Sequence, residues 1–283
     1  VAHLTGKQVV FTESFALARE TTLRRVKGVT AWQYATGITH MTTYSIQNVL
    51  SAGDYAAFCD FAGRFAWLCR RGTHVAEVAV LVPEASVWST YTPPAGGRFK
   101  TYFEYNPDPL EIDTVFRNTC HRLLASQQDF DALSDDLLAD CTIRDGRLHL
   151  ADESFGSLVL PECRILRSDL LPKVTGFLEN GGHVVFVGAL PAHTVGDGGV
   201  LQGIRPAVQR LLQRFPDRCK HVTGAFAGRR AAEWIRRTTP PQIRWEGDNA
   251  VRLLHRRDRT RHMILVANPG GSEARGTLRP PDT

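Results

Sequence analysis

The residue best placed to do chemistry is Glu13, a carboxylate that directly follows a short apolar strand signal at residues 7–12. In a parallel β/α array, a side chain just past a strand lies at the carboxyl-terminal rim of the sheet, where barrel enzymes carry their catalytic groups. A carboxylate at that rim can act as a nucleophile or as a general base. An exposed loop glutamate, or one that helps to cap a helix, is the alternative that the local sequence leaves open.

Three polar residues follow on the next strand signal, which covers residues 37–44. His40 and Tyr44 belong to that segment, and Gln47 lies just beyond it. Imidazole, phenol and amide groups donate and accept hydrogen bonds, which suits the recognition of sugar hydroxyls. We therefore expect these three residues to bind substrate next to Glu13. A histidine at such a place is also compatible with a purely structural role.

The first seventy or so residues also predict the elements that would position these side chains. A helix signal at residues 21–35 separates the two strand signals. Strand, helix and strand at this spacing indicate a parallel βαβ unit. A long helix then begins near Ser51 and ends before Gly72. Its aromatic residues recur at helical spacing, which we interpret as a packed core face.

From residue 74 to residue 240 the chain alternates between apolar strand signals and amphipathic helix signals. This pattern is typical of a doubly wound parallel sheet that is covered on both faces. The predicted strands are residues 75–82, 130–133, 157–160 and 183–188, the predicted helices are residues 113–126, 169–180, 201–215 and 229–237, and a loop rich in proline and glycine is predicted at residues 92–97. Beyond residue 240, a hairpin signal at residues 251–266 indicates the beginning of an antiparallel β region.

Composition excludes several classes of partner. The chain is 43% hydrophobic and 22% charged, which is ordinary for a globular protein. Its net charge of +5 comes from dispersed arginines. The one dense basic run, residues 255–262, lies between two apolar stretches and predicts a hairpin turn better than a nucleic-acid surface. Because no apolar run approaches about eighteen residues, we expect neither a nucleic acid nor a membrane as partner.

Cofactor and metal motifs are also missing from the sequence. The six cysteines have no C-x-x-C or zinc-finger spacing, so we expect buried small hydrophobes and no metal site. No glycine-rich phosphate loop occurs, and the first strand of the α/β array runs straight into Pro83, which disfavours a nucleotide-binding domain and predicts no cofactor. Cys163 follows a strand, as the nucleophile of amidotransferase-like domains does, but no glycine flanks it, which disfavours a catalytic thiol.

Several short motifs occur in an order that resembles a known enzyme family. They are Thr12-Glu13-Ser14-Phe15, residues 37–40, 63–72, 75–83, 129–134, 157–161 and 181–185, and residues 254–257 with 266–268. In this order and spacing they are similar to the C-terminal part of bacterial glycoside hydrolase family 106, the α-L-rhamnosidase-like proteins. They resemble the large β-galactosidases more weakly. The resemblance covers nearly the whole chain.

The resemblance implies an α/β protein in three parts. Residues 1–73 would be the last β/α units of a (β/α)8 barrel, residues 74–240 a flavodoxin-like (Rossmann-like) parallel-sheet domain, and residues 241–283 the beginning of an antiparallel β-sandwich. It also implies a carbohydrate substrate and Glu13 as one of two catalytic carboxylates, the other coming from an upstream strand, so that this chain alone would not hydrolyse glycosides. The alternative is that residues 74–240 form a non-catalytic scaffold or an oligomerisation domain. In the second case the protein would form a homo-oligomer.

Overall fold

The computed structural model describes residues 2–16, 20–92, 107–195, 197–247, 251–270 and 272–281. The chain divides into two compact units. Unit 1 contains residues 1–75, 151–153 and 242–283, and unit 2 contains residues 76–150 and 154–241. Residues 242–283 therefore fall in the same unit as the first 75 residues, and a separate β-sandwich over residues 241–283 stays a prediction. Most of the predicted loop at residues 92–97 lies outside the described residues.

The secondary structure is a mixture of helices and short strands. In chain order the α-helices are α1 (Leu23–Ala35), α2 (Ala52–Cys69), α3 (Glu84–Thr90), α4 (Pro107–Ala125), α5 (Asp135–Asp140), α6 (Leu170–Glu179), α7 (Arg205–Arg214) and α8 (Ala227–Thr238). The strands are β1 (Phe11–Ser14), β2 (His40–Thr43), β3 (Thr73–His74), β4 (Val78–Leu81), β5 (Phe130–Leu133), β6 (Thr142–Arg144), β7 (Arg147–Leu150), β8 (Glu153–Phe155), β9 (Ser157–Pro161), β10 (Ile165–Arg167), β11 (His183–Val187), β12 (His193–Val195), β13 (Leu201–Gly203), β14 (Cys219–Val222), β15 (Arg244–Gly247), β16 (Arg252–Asp258), β17 (Arg261–Ala267) and β18 (Gly276–Arg279). Short 3-10 turns occupy His3–Thr5, Ile46–Asn48 and Asp197–Gly199.

The first elements of unit 1 form the predicted βαβ unit. Strands β1 and β2 pair in parallel, with Phe11 opposite His40 and Glu13 opposite Thr42. Helix α1 connects them, and the hydroxyl of Thr22 caps it by accepting a hydrogen bond from the Arg25 N–H at 3.3 Å. The parallel pairing is confirmed, but β1 covers Phe11–Ser14 and not residues 7–12. Glu13 therefore lies within the strand, paired with Thr42, and not just past it as predicted.

Helix α2 packs against α1 and the β16–β17 hairpin to form the core of unit 1. Its predicted N-cap is present, because the Ser51 hydroxyl accepts a hydrogen bond from the Asp54 N–H at 3.1 Å. The buried cluster joins Tyr34 and Cys69 to hairpin residues such as Leu254, with partly buried aromatic rings of α2 packed against it. Gly72 ends this region with φ +62, and a Cβ there would lie 2.5 Å from the Arg257 carbonyl oxygen. Only glycine fits at that turn.

Unit 2 is built on a five-stranded parallel sheet with strand order β14-β11-β9-β4-β5. Numbered along the chain, this is the 2-1-3-4-5 order of flavodoxin-like doubly wound folds. Every residue of β4 and β9 is buried, as expected of parallel strands covered on both faces. The predicted α/β class with a parallel sheet is confirmed. The sequence signals missed β14, because Lys220 and His221 interrupt its apolar pattern.

One predicted helix begins later than its signal. Residues 201–215 were expected to be helical, but Leu201–Gly203 forms β13, which pairs antiparallel with β12. Helix α7 begins only at Arg205, with Pro206 in its first turn. Leu201 is 52% exposed, so its apolar side chain belongs to no helix face. The flanking glycines, Gly199 and Gly203, permit the break before the helix.

Within the described ranges, no helix is both long enough and apolar enough to cross a bilayer.

We predict opposite effects of alanine at two glycines. A Cβ at Gly182 would lie 2.1 Å from the Phe177 ring, and Phe177 is fully buried. Gly182→Ala should therefore lower the free energy of unfolding by about 1–3 kcal/mol. The control is Gly63→Ala in α2, where the position is open and alanine should add up to about 1 kcal/mol. Urea denaturation followed by circular dichroism measures both, and an unchanged Gly182→Ala would contradict the packing described here.

Candidate functional site

Glu13 projects from the face of the β1–β2 sheet that carries no helix. The neighbouring residue on β1, Ser14, is buried, and its hydroxyl lies 3.0 Å from the Gln33 side-chain oxygen on α1. Because side chains alternate along a strand, Phe11 and Glu13 must point to the opposite face. The parallel register carries this alternation across to β2.

His40 and Tyr44 share that helix-free face. Met41 of β2 packs into the apolar clusters beneath the sheet, so the residues on either side of it, His40 and Thr42, point the other way. Tyr44 continues the alternation, and its N–H donates to the Ser14 carbonyl at 3.2 Å, which extends the pairing of the strands by one residue.

The structure brings Tyr44 into direct contact with Glu13. The phenol of Tyr44 donates a hydrogen bond to Oε2 of Glu13 at 2.8 Å, and both side chains are exposed. This hydrogen bond and the negative charge of the carboxylate raise the pKa of Tyr44 above its ordinary value. The phenol is therefore held in its proton-donating form and fixes the direction of one carboxylate oxygen.

The other two predicted site residues lie further from Glu13 along the strands. His40 is opposite Phe11, two positions before the level of Glu13, and its Nδ1 lies 2.9 Å from the Thr39 hydroxyl. Gln47 donates its side-chain amide to the Tyr44 carbonyl at 2.7 Å. Gln47 thus braces the turn that carries Tyr44, whereas His40 marks the opposite end of the same face.

The helix-free face exposes apolar side chains next to the polar ones. Phe11 is 61% exposed and Tyr44 is 50% exposed. In the described part of the chain these strands form a two-stranded sheet. Aromatic side chains on an uncovered sheet face are typical of a surface that binds a ligand or another element.

Unit 2 places a different pair of residues at a strand end. Glu162, directly after β9, has the left-handed φ of +51. Its buried carboxylate accepts hydrogen bonds from the Arg164 guanidinium at 2.8 Å and from the Ala189 N–H at 2.9 Å. The adjacent Cys163 is buried, and burial raises the pKa of its thiol well above the ordinary value. Because a nucleophilic cysteine must ionise and be accessible, this environment argues against a catalytic thiol.

The carboxyl group of Asp135, which follows β5, has a raised pKa. Burial, with the negative charge of Glu84, raises the pKa of Asp135 to about 6, against the opposing effect of Arg167. Groups with such shifts occur both in active sites and in structural ion-pair clusters. The sequence did not indicate Asp135, because its shift arises from burial.

Sequence reasoning also missed a His/Glu cluster in unit 1. The Glu153 carboxylate lies 3.2 Å from Nε2 of His3 and 3.6 Å from Nδ1 of His74, and the three residues belong to a group whose side-chain atoms could together hold a metal ion. Since about seventy or more residues separate each from the next, no local motif could have signalled them.

We predict that alkylation distinguishes the cysteines by burial. Cys59 is exposed, whereas Cys69, Cys141, Cys163 and Cys219 are buried. Burial also raises the pKa of the partly buried Cys120 to about 12. Iodoacetamide at mildly alkaline pH should modify Cys59 in the folded protein and the other cysteines only after unfolding, as read by peptide mass spectrometry. Rapid modification of Cys163 in the folded chain would revive the catalytic thiol.

We also predict that the Tyr44 phenol reports on Glu13. Subtracting the ultraviolet pH titration of Tyr44→Phe from that of the wild type isolates this phenol, which should ionise above pH 10.0. In Glu13→Gln, the charge and the carboxylate hydrogen bond are both lost, so the pKa of Tyr44 should fall toward its ordinary value. Glu246→Gln, on β15, is the control and should leave it unchanged. An identical Tyr44 titration in Glu13→Gln would show that the two side chains are not bonded.

Comparison with known proteins gives a likeness of fold. No protein-family model matches the sequence, and no curated protein matches it. An exo-carrageenase of glycoside hydrolase family 42 (GH42) from Bacteroides ovatus aligns with 95% of this chain and 36% of its own, with a TM-score of 0.53 and 11% identity. A catalytic mutant of a GH42 β-galactosidase from G. stearothermophilus aligns with 79% of this chain and 39% of its own, with a TM-score of 0.42 and 10% identity.

The chain spans little more than a third of the exo-carrageenase that it matches. At 11% identity the alignment establishes a shared fold. The α/β architecture over 95% of this chain is therefore similar to that of part of a GH42 glycoside hydrolase. The coarser sequence prediction, that the chain has the fold of part of a glycoside hydrolase, agrees with this finding. The assignment to family 106 remains a prediction.

Proposed function

We propose that this chain is part of a carbohydrate-active enzyme that hydrolyses glycosidic bonds, and that Glu13 is one of its two catalytic carboxylates. The observation that carries the proposal is the exposed Glu13 carboxylate on the helix-free face of a parallel strand pair, held by Tyr44 at 2.8 Å. In a (β/α)8 barrel the helices cover the outer face of the strands, so the helix-free face would line the interior.

The uncovered β1–β2 sheet supports membership of a larger barrel. Phe11 lies on the helix-free face and is 61% exposed. An edge strand with an exposed aromatic residue is a site where further strands pair and pack. Strands contributed by the rest of a longer polypeptide would cover Phe11 and bring a second carboxylate opposite Glu13.

The roles of the side chains follow from the chemistry of glycoside hydrolysis. The reaction needs two carboxyl groups, about 5–5.5 Å apart for retention and about 6.5–9.5 Å apart for inversion. Glu13 would act as nucleophile or general base, and the second carboxyl would protonate the leaving oxygen. Tyr44 would orient Glu13, and His40 would contact sugar hydroxyls further along the face. The α-L-rhamnosidase-like specificity implied by the sequence resemblance belongs to this proposal.

A second role concerns unit 2, which would serve as a scaffold or an oligomerisation domain. The Glu162 carboxylate at the end of β9 accepts hydrogen bonds from the Arg164 guanidinium and the Ala189 N–H, which indicates a structural role. Unit 2 also exposes large apolar side chains, with Trp88 at 73% and Phe226 at 67%. Exposed aromatic residues of this kind support a contact surface, and both roles are compatible in one protein.

The test is turnover of aryl glycosides, including α-L-rhamnosides and β-galactosides. We expect no turnover by this 283-residue chain. The longer polypeptide encoded by its continuous reading frame should hydrolyse one of them. In that polypeptide, Glu13→Gln should lower kcat/KM by at least about 10²-fold, whereas the control Glu246→Gln should leave it unchanged.

Two outcomes would contradict the proposal. Turnover by the 283-residue chain alone would show that no second carboxylate from elsewhere is needed. An active longer polypeptide that is unaffected by Glu13→Gln would remove Glu13 from the mechanism and leave the scaffold role as the better account.

A further inference from the structure

Three residues that are distant in sequence meet within unit 1. His3 begins the 3-10 turn His3–Thr5, His74 lies on β3, and Glu153 begins β8. Strand β3 is fixed by its antiparallel pairing with β16, in which His74 lies opposite Arg256. His74 and Glu153 are buried, and the side chain of His3 is 28% exposed. The cluster therefore has a rigid inner part and one residue that reaches solvent.

The distances between the donor atoms suit a small metal ion. Nε2 of His3 lies 3.2 Å from Oε1 of Glu153, and Nδ1 of His74 lies 3.6 Å from Oε2 of the same carboxylate. In a tetrahedral zinc site, bonds of about 2.1 Å place neighbouring ligand atoms about 3.4 Å apart. All the donor atoms of the group lie within 4.8 Å of one another. The histidine rings are nearly perpendicular, at 83°, with their centroids 5.6 Å apart, so the nitrogens can converge on one point.

The burial of the carboxylate makes a cation favourable at this position. The Glu153 side chain is only 6% exposed, and an ionised carboxylate removed from water must be compensated by positive charge or hydrogen bonds. A bound divalent cation compensates it while the imidazoles remain neutral ligands. The competing arrangement is a metal-free ion pair in which one histidine is protonated.

We propose that His3, His74 and Glu153 form a binding site for a divalent transition-metal ion, with Zn²⁺ as the best fit. Two imidazole nitrogens and one carboxylate oxygen are a ligand set that zinc favours, whereas Ca²⁺ and Mg²⁺ prefer oxygen ligands alone. His3, His74 and Glu153 would supply three of the four positions of a tetrahedral site.

The cluster faces a cavity. The three residues line a cavity of about 360 Å³ in unit 1, whose wall also includes Lys7, Arg70 and Asp152. A cavity of this volume holds water and a small molecule, so a metal ion can reach the cluster. The site uses none of the residues assigned to glycoside hydrolysis, so the metal proposal can be tested independently of the proposed function.

The experiment is metal titration of the untagged chain after removal of bound metal by a chelator. A Cys59→Ser background removes the exposed thiol as a competing ligand. Calorimetry with ZnCl₂ should give one Zn²⁺ per chain, and Co²⁺ should give the visible absorption of a tetrahedral centre that Zn²⁺ displaces. His3→Ala and Glu153→Gln should each weaken binding at least about tenfold. The control His193→Ala replaces an exposed histidine of β12 and should bind like the parent.

Thermal unfolding provides a second readout that separates loss of metal from loss of fold. Zn²⁺ should raise the Tm of the parent and of His193→Ala, since a ligand that binds only the folded state stabilises it. It should not raise the Tm of Glu153→Gln, whose circular dichroism should match that of the parent. No stoichiometric binding by the parent, or equal binding by His3→Ala and Glu153→Gln, would overturn the proposal and leave the metal-free ion pair.

Discussion

The alternation of side chains along the β1–β2 pair is the constraint on which the candidate chemistry depends. The hydrogen bond between the side chains of Ser14 and Gln33 places Ser14 on the side of the sheet that faces α1. With a period of two residues, that single contact fixes Glu13 on the other face, and the parallel register fixes His40 and Tyr44 with it. A slip of one residue would bury Glu13 against α1 and expose Ser14. The packing of α1 therefore determines which residues of the strands can meet a substrate.

The same physical reasoning explains where unit 2 can carry functional groups. Its strands are buried on both faces, so only the loops after them can present functional groups. Glu162, at the end of β9, is committed to Arg164 and to the backbone of Ala189. The loop after β4 leads through Pro83 into α3. The exposed Trp88 belongs to this helix.

The sequence predicted those elements whose signals are local. The βαβ unit, the Ser51 cap and the apolar strands β4, β9 and β11 follow from periodicity and capping, and they occur where expected. Elements whose residues are polar, or which exist only through pairing with a neighbouring strand, were missed. Strand β14 contains Lys220 and His221, and β13 exists only because β12 pairs with it.

The candidate site, too, could be predicted from the sequence only in part. Glu13 and Tyr44 could be named because both lie near the carboxyl ends of neighbouring strand signals, and parallel register brings such positions together. The hydrogen bond between them, and the use of Gln47 to brace the turn, required the three-dimensional structure. The His3, His74 and Glu153 cluster could not be predicted, because residues from a 3-10 turn and two separate strands meet only when unit 1 folds.

Glu162 and Glu13 both lie near the carboxyl end of a strand, but their surroundings differ. The Glu162 carboxylate is buried, and hydrogen bonds from a guanidinium and a backbone N–H fix its direction. Glu13 is exposed and receives a hydrogen bond from the neutral Tyr44 phenol. This hydrogen bond fixes the direction of one carboxylate oxygen, and the exposure of the side chain leaves the carboxylate accessible. Of these two carboxylates, Glu13 is the one that a ligand could reach from solvent, as the proposed role in glycoside hydrolysis requires.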